Sequence, residues 1–108
     1  QMPHGPAKST GYRFECDGKS VCYTTDFSEI TRDMIDLCFR CDTLVVDCLR
    51  REPHPTHAHL GMALEFAEAT QAGFVVLTHL DKSMDFAKLS SEVPDYAAVA
   101  YDGMVMEL

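Results

Sequence analysis

The chain is predicted to be an α/β domain with a mixed sheet and helices packed on one face. Apolar runs typical of buried strands alternate with segments of helical periodicity through the middle of the chain. Asp-Gly turn signals near both ends separate strand-like segments, which adds antiparallel pairs to a parallel centre. The length of 108 residues, 46% of them hydrophobic, is that of one domain with material for a core.

Two strands, a helix and a further strand are predicted in the first half of the chain. The first two strands flank Asp17-Gly18, a hairpin signal because glycine accepts positive φ. The helix is expected to open at Ser28, with its apolar side chains on one face. The next strand is a short apolar run bounded by polar residues, typical of a buried strand. These elements are expected at residues 11–16, 21–26, 28–40 and 42–48.

Two helices and three strands are predicted in the second half. Thr56 is expected to cap the first helix and Gly73 to end it. A buried strand follows, and then a short helix that stops before Pro94. The last two strands flank Asp102-Gly103, a second hairpin signal. These elements are expected at residues 57–72, 74–79, 85–91, 97–101 and 104–108, so the order is β-β-α-β-α-β-α-β-β.

Charge and hydropathy exclude two classes of partner. The formal net charge is −8, and so acidic a surface does not attract a phosphate backbone, so nonspecific nucleic-acid binding is not expected. No run of about 18 apolar residues is present, which excludes a transmembrane helix. The start also lacks the charged and apolar regions of a signal peptide. We therefore expect a cytoplasmic protein with no membrane partner.

The five cysteines are expected to be free and mostly buried thiols. Their number is odd, and the chain shows no secretory feature. The spacing of Cys38 and Cys41 can mark a redox or zinc site, but this pair falls late in a predicted helix. A redox pair would stand at a helix N-terminus, where the dipole lowers the thiol pKa. A structural role is therefore favoured.

Three ionisable residues stand at the ends of predicted strands. Asp26 and His79 each end a strand, and Asp47 nearly ends one. Because ligands gather at the carboxyl ends of parallel strands, these residues indicate a site, most simply a metal site. Imidazole and carboxylate together suit zinc, manganese or iron. Each residue taken alone is also well explained as a turn, a cap or an ordinary polar side chain.

A histidine-rich loop follows the strand at residues 42–48. The segment His54-Pro-Thr-His57-Ala-His59 holds three histidines, and Arg50 and Arg51 stand just before it. Two histidines separated by one residue can converge on a metal, or one can act as a general acid. The alternative is a solvated loop that happens to be rich in histidine, and composition alone supports the two interpretations about equally.

Four short motifs, taken in order, resemble the C-terminal half of metallo-β-lactamase-fold hydrolases. They lie at residues 44–50, 54–60, 76–79 and 100–104. Within that family the chain is similar to phosphoribosyl 1,2-cyclic phosphate phosphodiesterase and to ribonuclease Z. The resemblance implies that residues 1–108 form half of an αββα sandwich. The other half would carry a His-x-His-x-Asp-His motif, which this sequence lacks.

The resemblance also implies the metal ligands. His4 would bind the first metal, His79 would bind the second, and Asp26 would bridge the two. The cofactors of the intact enzyme would be two divalent cations, zinc or manganese. The remaining family ligands belong to the other half.

Residues around the ligands have implied roles as well. His57 matches the proposed general acid or transition-state stabiliser, and His59, beside it, is expected to contact the substrate or to support a ligand. Asp47 would orient a metal ligand through a hydrogen bond without binding the metal itself. From its charge and position, Arg50 is expected to approach a substrate phosphate. The implied function is metal-dependent hydrolysis of a small phosphodiester.

The absent motif has two consequences. Catalytic zinc normally needs about three protein ligands, so these residues alone are expected to be inactive. The missing half would pack on the sheet, so an apolar face is left for an N-terminal half of the same protein or for a second copy of the chain. Two alternatives stay open: an inactive truncated fragment, and a stand-alone α/β interaction domain whose histidines are incidental.

Overall fold

The structure, a computed structural model, describes residues 1–81 and 84–106. Within them the element order is β-β-β-β-α-β-α-β-α-β. The strands are β1 Met2–His4, β2 Ala7–Ser9, β3 Tyr12–Cys16, β4 Lys19–Thr24, β5 Thr43–Asp47, β6 Phe74–Thr78 and β7 Ala97–Val99. The helices are α1 Arg32–Cys38, α2 Leu60–Thr70 and α3 Phe86–Glu92. No helix in these ranges is long and apolar enough to cross a membrane.

The strands from β3 to β7 form one sheet in sequence order. β3 pairs antiparallel with β4 through a turn in which Asp17 and Gly18 both have positive φ, as a tight hairpin requires. The pairs β4–β5, β5–β6 and β6–β7 are parallel, and a helix connects the members of each. The predicted α/β class with a mixed sheet is confirmed. The carboxyl ends of β4, β5 and β6 meet at one edge.

One face of the sheet forms the core with the helices. Contacts join α1 to α2, α2 to β5 and α3 to β7. Phe27 and Phe66 meet edge to face in this layer, with 5.5 Å between ring centroids, and both are fully buried. Leu44 of β5 lies between its paired residues Cys22 of β4 and Val75 of β6. Two residues further along each strand, Val46 lies between Thr24 and Leu77. All six side chains are buried in the core.

The opposite face carries exposed aromatic side chains. Tyr12 and Phe14 of β3 are 51% and 59% exposed, and their rings stack with 6.0 Å between centroids. Tyr23, the partner of Tyr12 on β4, is 45% exposed, and Val45 continues the row on β5. We call these four residues the open face. So large an apolar surface is typical of an interface.

Two helices begin later than predicted. The first starts at Arg32, and Thr31 caps it by accepting a hydrogen bond from the Met34 N–H. Ser28 was expected there, but its hydroxyl accepts from Gly5 N–H and its own N–H donates to Pro3, which ties it to the N-terminal residues. The second helix starts at Leu60, with His59 rather than Thr56 at the N-cap.

The chain ends also differ from the prediction. The β1–β2 hairpin was not predicted, because strands of three residues are too short to show alternation. At the other end the turn at Asp102-Gly103 forms, with Met104 N–H donating to Tyr101 at 3.0 Å. Residues 104–106 make no strand, so the predicted second hairpin is wrong there. Residues 107 and 108 lie outside the described residues.

The five cysteines are free, as predicted. Four are buried and Cys16 is exposed. Cys22, Cys38 and Cys41 lie together in the core, where a hydrogen bond with Cys38 raises the pKa of the Cys22 thiol to about 12. A thiol held in its neutral form behaves as a small apolar side chain, which agrees with a structural role.

Candidate metal centre

Three strand ends bring candidate residues to one edge of the sheet. Asp26 follows β4, Asp47 is the last residue of β5, and His79 directly follows β6. Asp26 and His79 both have positive φ, 61° and 63°. For a residue other than glycine this left-handed conformation costs on the order of 1–3 kcal/mol. The surrounding structure therefore holds backbone strain at two of the predicted ligands.

Asp47 is the buried centre of a hydrogen-bonded triad. Its side chain is fully buried, and His79 Nδ1 donates to Oδ1 at 3.0 Å while His57 Nδ1 donates to Oδ2 at 3.1 Å. The Ala58 N–H also points to Oδ2, at 3.4 Å. A buried carboxylate needs such donors to offset its lost hydration. Because Nδ1 of both rings is engaged, Nε2 is the atom left to bind a metal or a substrate oxygen.

Two overlapping groups of side chains have the spacing of metal ligands. We call them the His4 group, which is His4, Asp26 and His57, and the Asp47 group, which is Asp47, His57 and His79. In each group the potential ligand atoms lie within 4.8 Å of one another. Bonds of about 2.0–2.2 Å from zinc to nitrogen or oxygen place ligand atoms roughly 3–4 Å apart, so the donor set fits a divalent cation.

Asp26 lies between two of the histidines. Its Oδ1 is 3.6 Å from His57 Nδ1 and 3.5 Å from His79 Nδ1, and its side chain is 45% exposed. The exposed side of this carboxylate is open to a cation, and the predicted bridging role of Asp26 stays a prediction.

The N-terminal hairpin brings His4 to the cluster. His4 Nδ1 donates to the Thr56 carbonyl at 2.6 Å across 52 residues of sequence, and its ring lies 4.8 Å from that of His57. Gly5, with φ 59°, turns the hairpin beside this contact. A Cβ on Gly5 would stand 2.5 Å from Thr56 Cγ2. Glycine is therefore needed here for both conformation and space.

The histidine-rich loop contributes His57 and places His54 beside it. The His57 side chain is 16% exposed and its ring lies 5.4 Å from His54 and 4.7 Å from His79. The sequence left His54 without a role. Its burial and the positive charge of Arg50 lower the pKa of its ring, which favours the neutral form. A neutral ring accepts the hydrogen bond that Thr56 N–H donates to Nδ1 at 3.2 Å.

Arg50 and His59 are engaged by the loop itself. The Arg50 guanidinium donates to the carbonyls of Glu52 and Pro53 at 3.2 and 2.7 Å. Arg51 pairs with Glu92 at 2.6 Å. His59 stands at the N-cap of α2 and belongs to neither ligand group. The predicted roles of Arg50 and His59 toward a substrate stay predictions.

Two cavities adjoin the cluster and share Thr78 and His79. The first, of about 230 Å³, is also lined by Tyr23, Thr25 and Asp26. The second, of about 310 Å³, lies on the other side and is also lined by Leu80, Ala100, Tyr101 and Asp102. Both sizes are near the lower end of the range for small-molecule sites.

Comparison with known proteins identifies the family. The sequence profile of the beta-lactamase superfamily domain matches residues 2–80, so the chain belongs to the beta-lactamase superfamily. Its fold is that of the metallo-β-lactamases, which are metal-dependent hydrolases, and the resemblance predicted from the motifs is confirmed. No curated protein sequence matches the chain.

Solved structures share this fold. The crystal structure of a new diphosphatase from the PhnP family is 32% identical, with a TM-score of 0.87 over 95% of this chain and 39% of that one. The short form of human tRNase Z is 24% identical, with a TM-score of 0.72 over 90% of this chain and 36% of that one. The metallo-beta-lactamase fold protein YhfI from Bacillus subtilis is 23% identical, with a TM-score of 0.82 over 99% of this chain and 48% of that one. The chain therefore spans less than half the length of each.

Proposed function

We propose that the complete protein hydrolyses small phosphodiesters with divalent cations, and that this chain supplies about half of the metal centre. The observation that carries the proposal is the cluster of His4, Asp26, His57 and His79 around buried Asp47, drawn from distant parts of the sequence to one sheet edge. The similar diphosphatase supports a phosphorus–oxygen bond as the target. The net charge of −8 favours a small substrate over a nucleic-acid backbone.

His4, Asp26 and His79 are the proposed metal ligands, with Asp26 between two cations and the missing ligands outside this chain. Imidazole and carboxylate donors suit zinc or manganese. Bound divalent cations would supply Lewis-acid charge and an activated water. The strained conformations of Asp26 and His79 hold these two side chains at the edge before any ligand arrives.

His57 is the proposed general acid. The hydrogen bond from Nδ1 to Asp47 orients the ring and leaves Nε2 to carry the proton that the leaving oxygen takes. The Asp47 carboxylate holds the ring in this tautomer and orientation, as a carboxylate does in other histidine-based sites. Because Asp47 contacts both His57 and His79, it is a positioning residue for the proton donor and for a metal ligand together.

A second layer is proposed to cover the open face. Tyr12, Phe14 and Tyr23 are each about half exposed, although aromatic rings gain most when buried. Similar solved structures are more than twice as long as the part this chain matches, which leaves room for another αβ layer. We propose an N-terminal half of the same protein as the occupant, because it would also bring further ligands to the edge. A second copy of the chain is the alternative.

The proposal is tested in the complete protein with matched histidine variants. We expect His79→Ala to lose bound metal, measured by elemental analysis beside intact mass. We expect His57→Ala to keep the metal but to lose about 10²–10⁴-fold in kcat for bis(p-nitrophenyl) phosphate. Glu52→Ala is the control, because this exposed side chain lies in the same loop but outside both ligand groups, and it should keep metal and turnover within a few-fold.

Two results would contradict the proposal. One is a metal-loaded protein that hydrolyses no phosphodiester among linear and cyclic substrates. The other is a Glu52→Ala variant as impaired as His57→Ala, which would mean that the loop rather than the cluster matters. For the isolated chain we expect a mass near 12.1 kDa with little metal, because only part of the ligand set is present.

A further inference from the structure

Two exposed aromatic rings meet beyond the metal centre. Phe86 opens α3 and Tyr101 follows β7, and their side chains are 47% and 57% exposed. The rings pack edge to face with 5.8 Å between centroids. Each ring supports the other while one surface of each stays open. Two rings packed in this way hold each other in a fixed orientation and present a continuous aromatic surface, which we call the wall.

Tyr101 connects this wall to the proposed active site. It lines the cavity of about 310 Å³ that His79 also lines. It also lines a third cavity, of about 250 Å³, whose other residues include Phe86, Val93, Val99 and Met104. Tyr101 therefore lines both the cavity beside the proposed metal ligand His79 and an apolar recess.

The lining of these two cavities indicates what can bind there. Beside Tyr101 stands Asp102, whose carboxylate repels a second phosphate in an already acidic protein. The apolar recess behind it accepts an uncharged, flat group. Stacking of a nucleic-acid base on an aromatic side chain strengthens binding by about 5- to 100-fold and tolerates any base.

We propose that the Tyr101 side of the cavity it shares with His79 is the subsite for a base carried by the substrate, and that Tyr101 is the residue that selects for it. The inference rests on the proposed hydrolysis of phosphodiesters and narrows the substrate to one that carries a nucleoside. The phosphodiester would lie at His79 and the base against Tyr101. A substrate without a base would lose the contact with Tyr101 and keep the contacts of its phosphate.

The first test measures binding without any turnover. Adenosine 5′-monophosphate and ribose 5-phosphate differ only in the base, so their titration into the chain, followed by amide chemical shifts, isolates the subsite. We expect the nucleotide to bind at least 5-fold more tightly and to shift Tyr101 and Phe86. Tyr101→Leu should abolish that preference and Tyr101→Phe should keep it. Phe39→Leu, at an exposed ring beyond the end of α1, should leave it unchanged.

The second test uses the complete metal-loaded protein. We expect Tyr101→Leu to raise KM at least 5-fold for adenosine 2′,3′-cyclic phosphate with little change in kcat. The same variant should leave both constants unchanged for ribose 2,3-cyclic phosphate, which has no base. A melting temperature within about 2 °C of the wild type would show that the variant is folded.

The outcomes separate this inference from the proposed function. Hydrolysis of both substrates without dependence on Tyr101 overturns the subsite and leaves the function standing. A base preference that depends on Tyr101, without hydrolysis of either substrate, supports the subsite and overturns the function. Equal binding of the two monophosphates overturns the subsite. A Tyr101→Leu variant that is less stable but still prefers the base also overturns the subsite. That result would mean that the Tyr101 ring is covered by the rest of the protein.

Discussion

Replacing Asp47 with asparagine tests whether one buried carboxylate holds two histidines, His57 and His79, in place. Three N–H donors converge on it, from His57, His79 and Ala58. Asparagine has the same shape but accepts on only one side-chain atom and donates from the other. One histidine then loses its N–H bond at the NH₂ group or moves its proton to Nε2, the atom that a metal needs, and the other exchanges a charged acceptor for a neutral one.

The expected cost follows from these contacts. A hydrogen bond to a charged group contributes about 1.5–3 kcal/mol and one between neutral groups about 0.5–1.5 kcal/mol. One bond lost and one weakened give a decrease of roughly 2–4 kcal/mol in the free energy of unfolding. That is a large part of the 5–15 kcal/mol that domains typically have, so partial unfolding near body temperature is expected. Metal affinity of the complete protein should fall about 10–100-fold.

The assay is urea unfolding followed by circular dichroism, with metal binding measured separately by calorimetry. Asp42→Asn is the matched control at the other end of β5, where the carboxylate is exposed and accepts from the Ser20 N–H at 2.7 Å. This bond survives the change, so a cost below about 1 kcal/mol is expected. If Asp47→Asn unfolds within about 0.5 kcal/mol of the wild type, the reasoning about the triad is refuted.

Three further predictions concern other parts of the molecule. Gly5→Ala should lower the free energy of unfolding at least twice as much as Gly18→Ala, for which a decrease of about 1–2 kcal/mol is expected. Both glycines have positive φ, but only a Cβ at Gly5 would meet Thr56. Equal costs in urea melts would contradict the close contact. Burial, followed by the charge of Asp47, raises the pKa of the Cys48 thiol from 9.0 to about 12. The unfolded thiol then loses its proton first, so stability falls by about 1.4 kcal/mol per pH unit between these values. Between pH 9 and 11 the free energy of unfolding should therefore fall less for Cys48→Ala than for the wild type. Parallel profiles of unfolding free energy against pH would contradict the raised pKa of Cys48. On the open face, Phe14→Ser should weaken self-association of the isolated chain in sedimentation experiments, because burying one phenylalanine contributes about 1.5–3 kcal/mol. Unchanged association would show that this face is not the contact.

Local patterns predicted the centre of the fold better than its ends. The parallel strands and the turn at Asp17-Gly18 were found because apolar runs and glycine preferences act within a few residues. The start of α1 was misplaced because Ser28, a good capping residue by type, is bound instead to Gly5. The final hairpin was overpredicted, since a turn can form without a returning strand, as the bond from Met104 to Tyr101 shows.

The sequence alone determined which residue types stand at the strand ends. Asp26, Asp47 and His79 were identifiable because the end of a strand is a local property, and parallel strands must share one edge. Only the tertiary structure decided what these residues contact. It joined Asp47 to His57 and His79, 10 and 32 residues away, and His4 to Thr56 across 52 residues. Such contacts depend on how strands and loops pack after folding, and no short stretch of sequence specifies that packing.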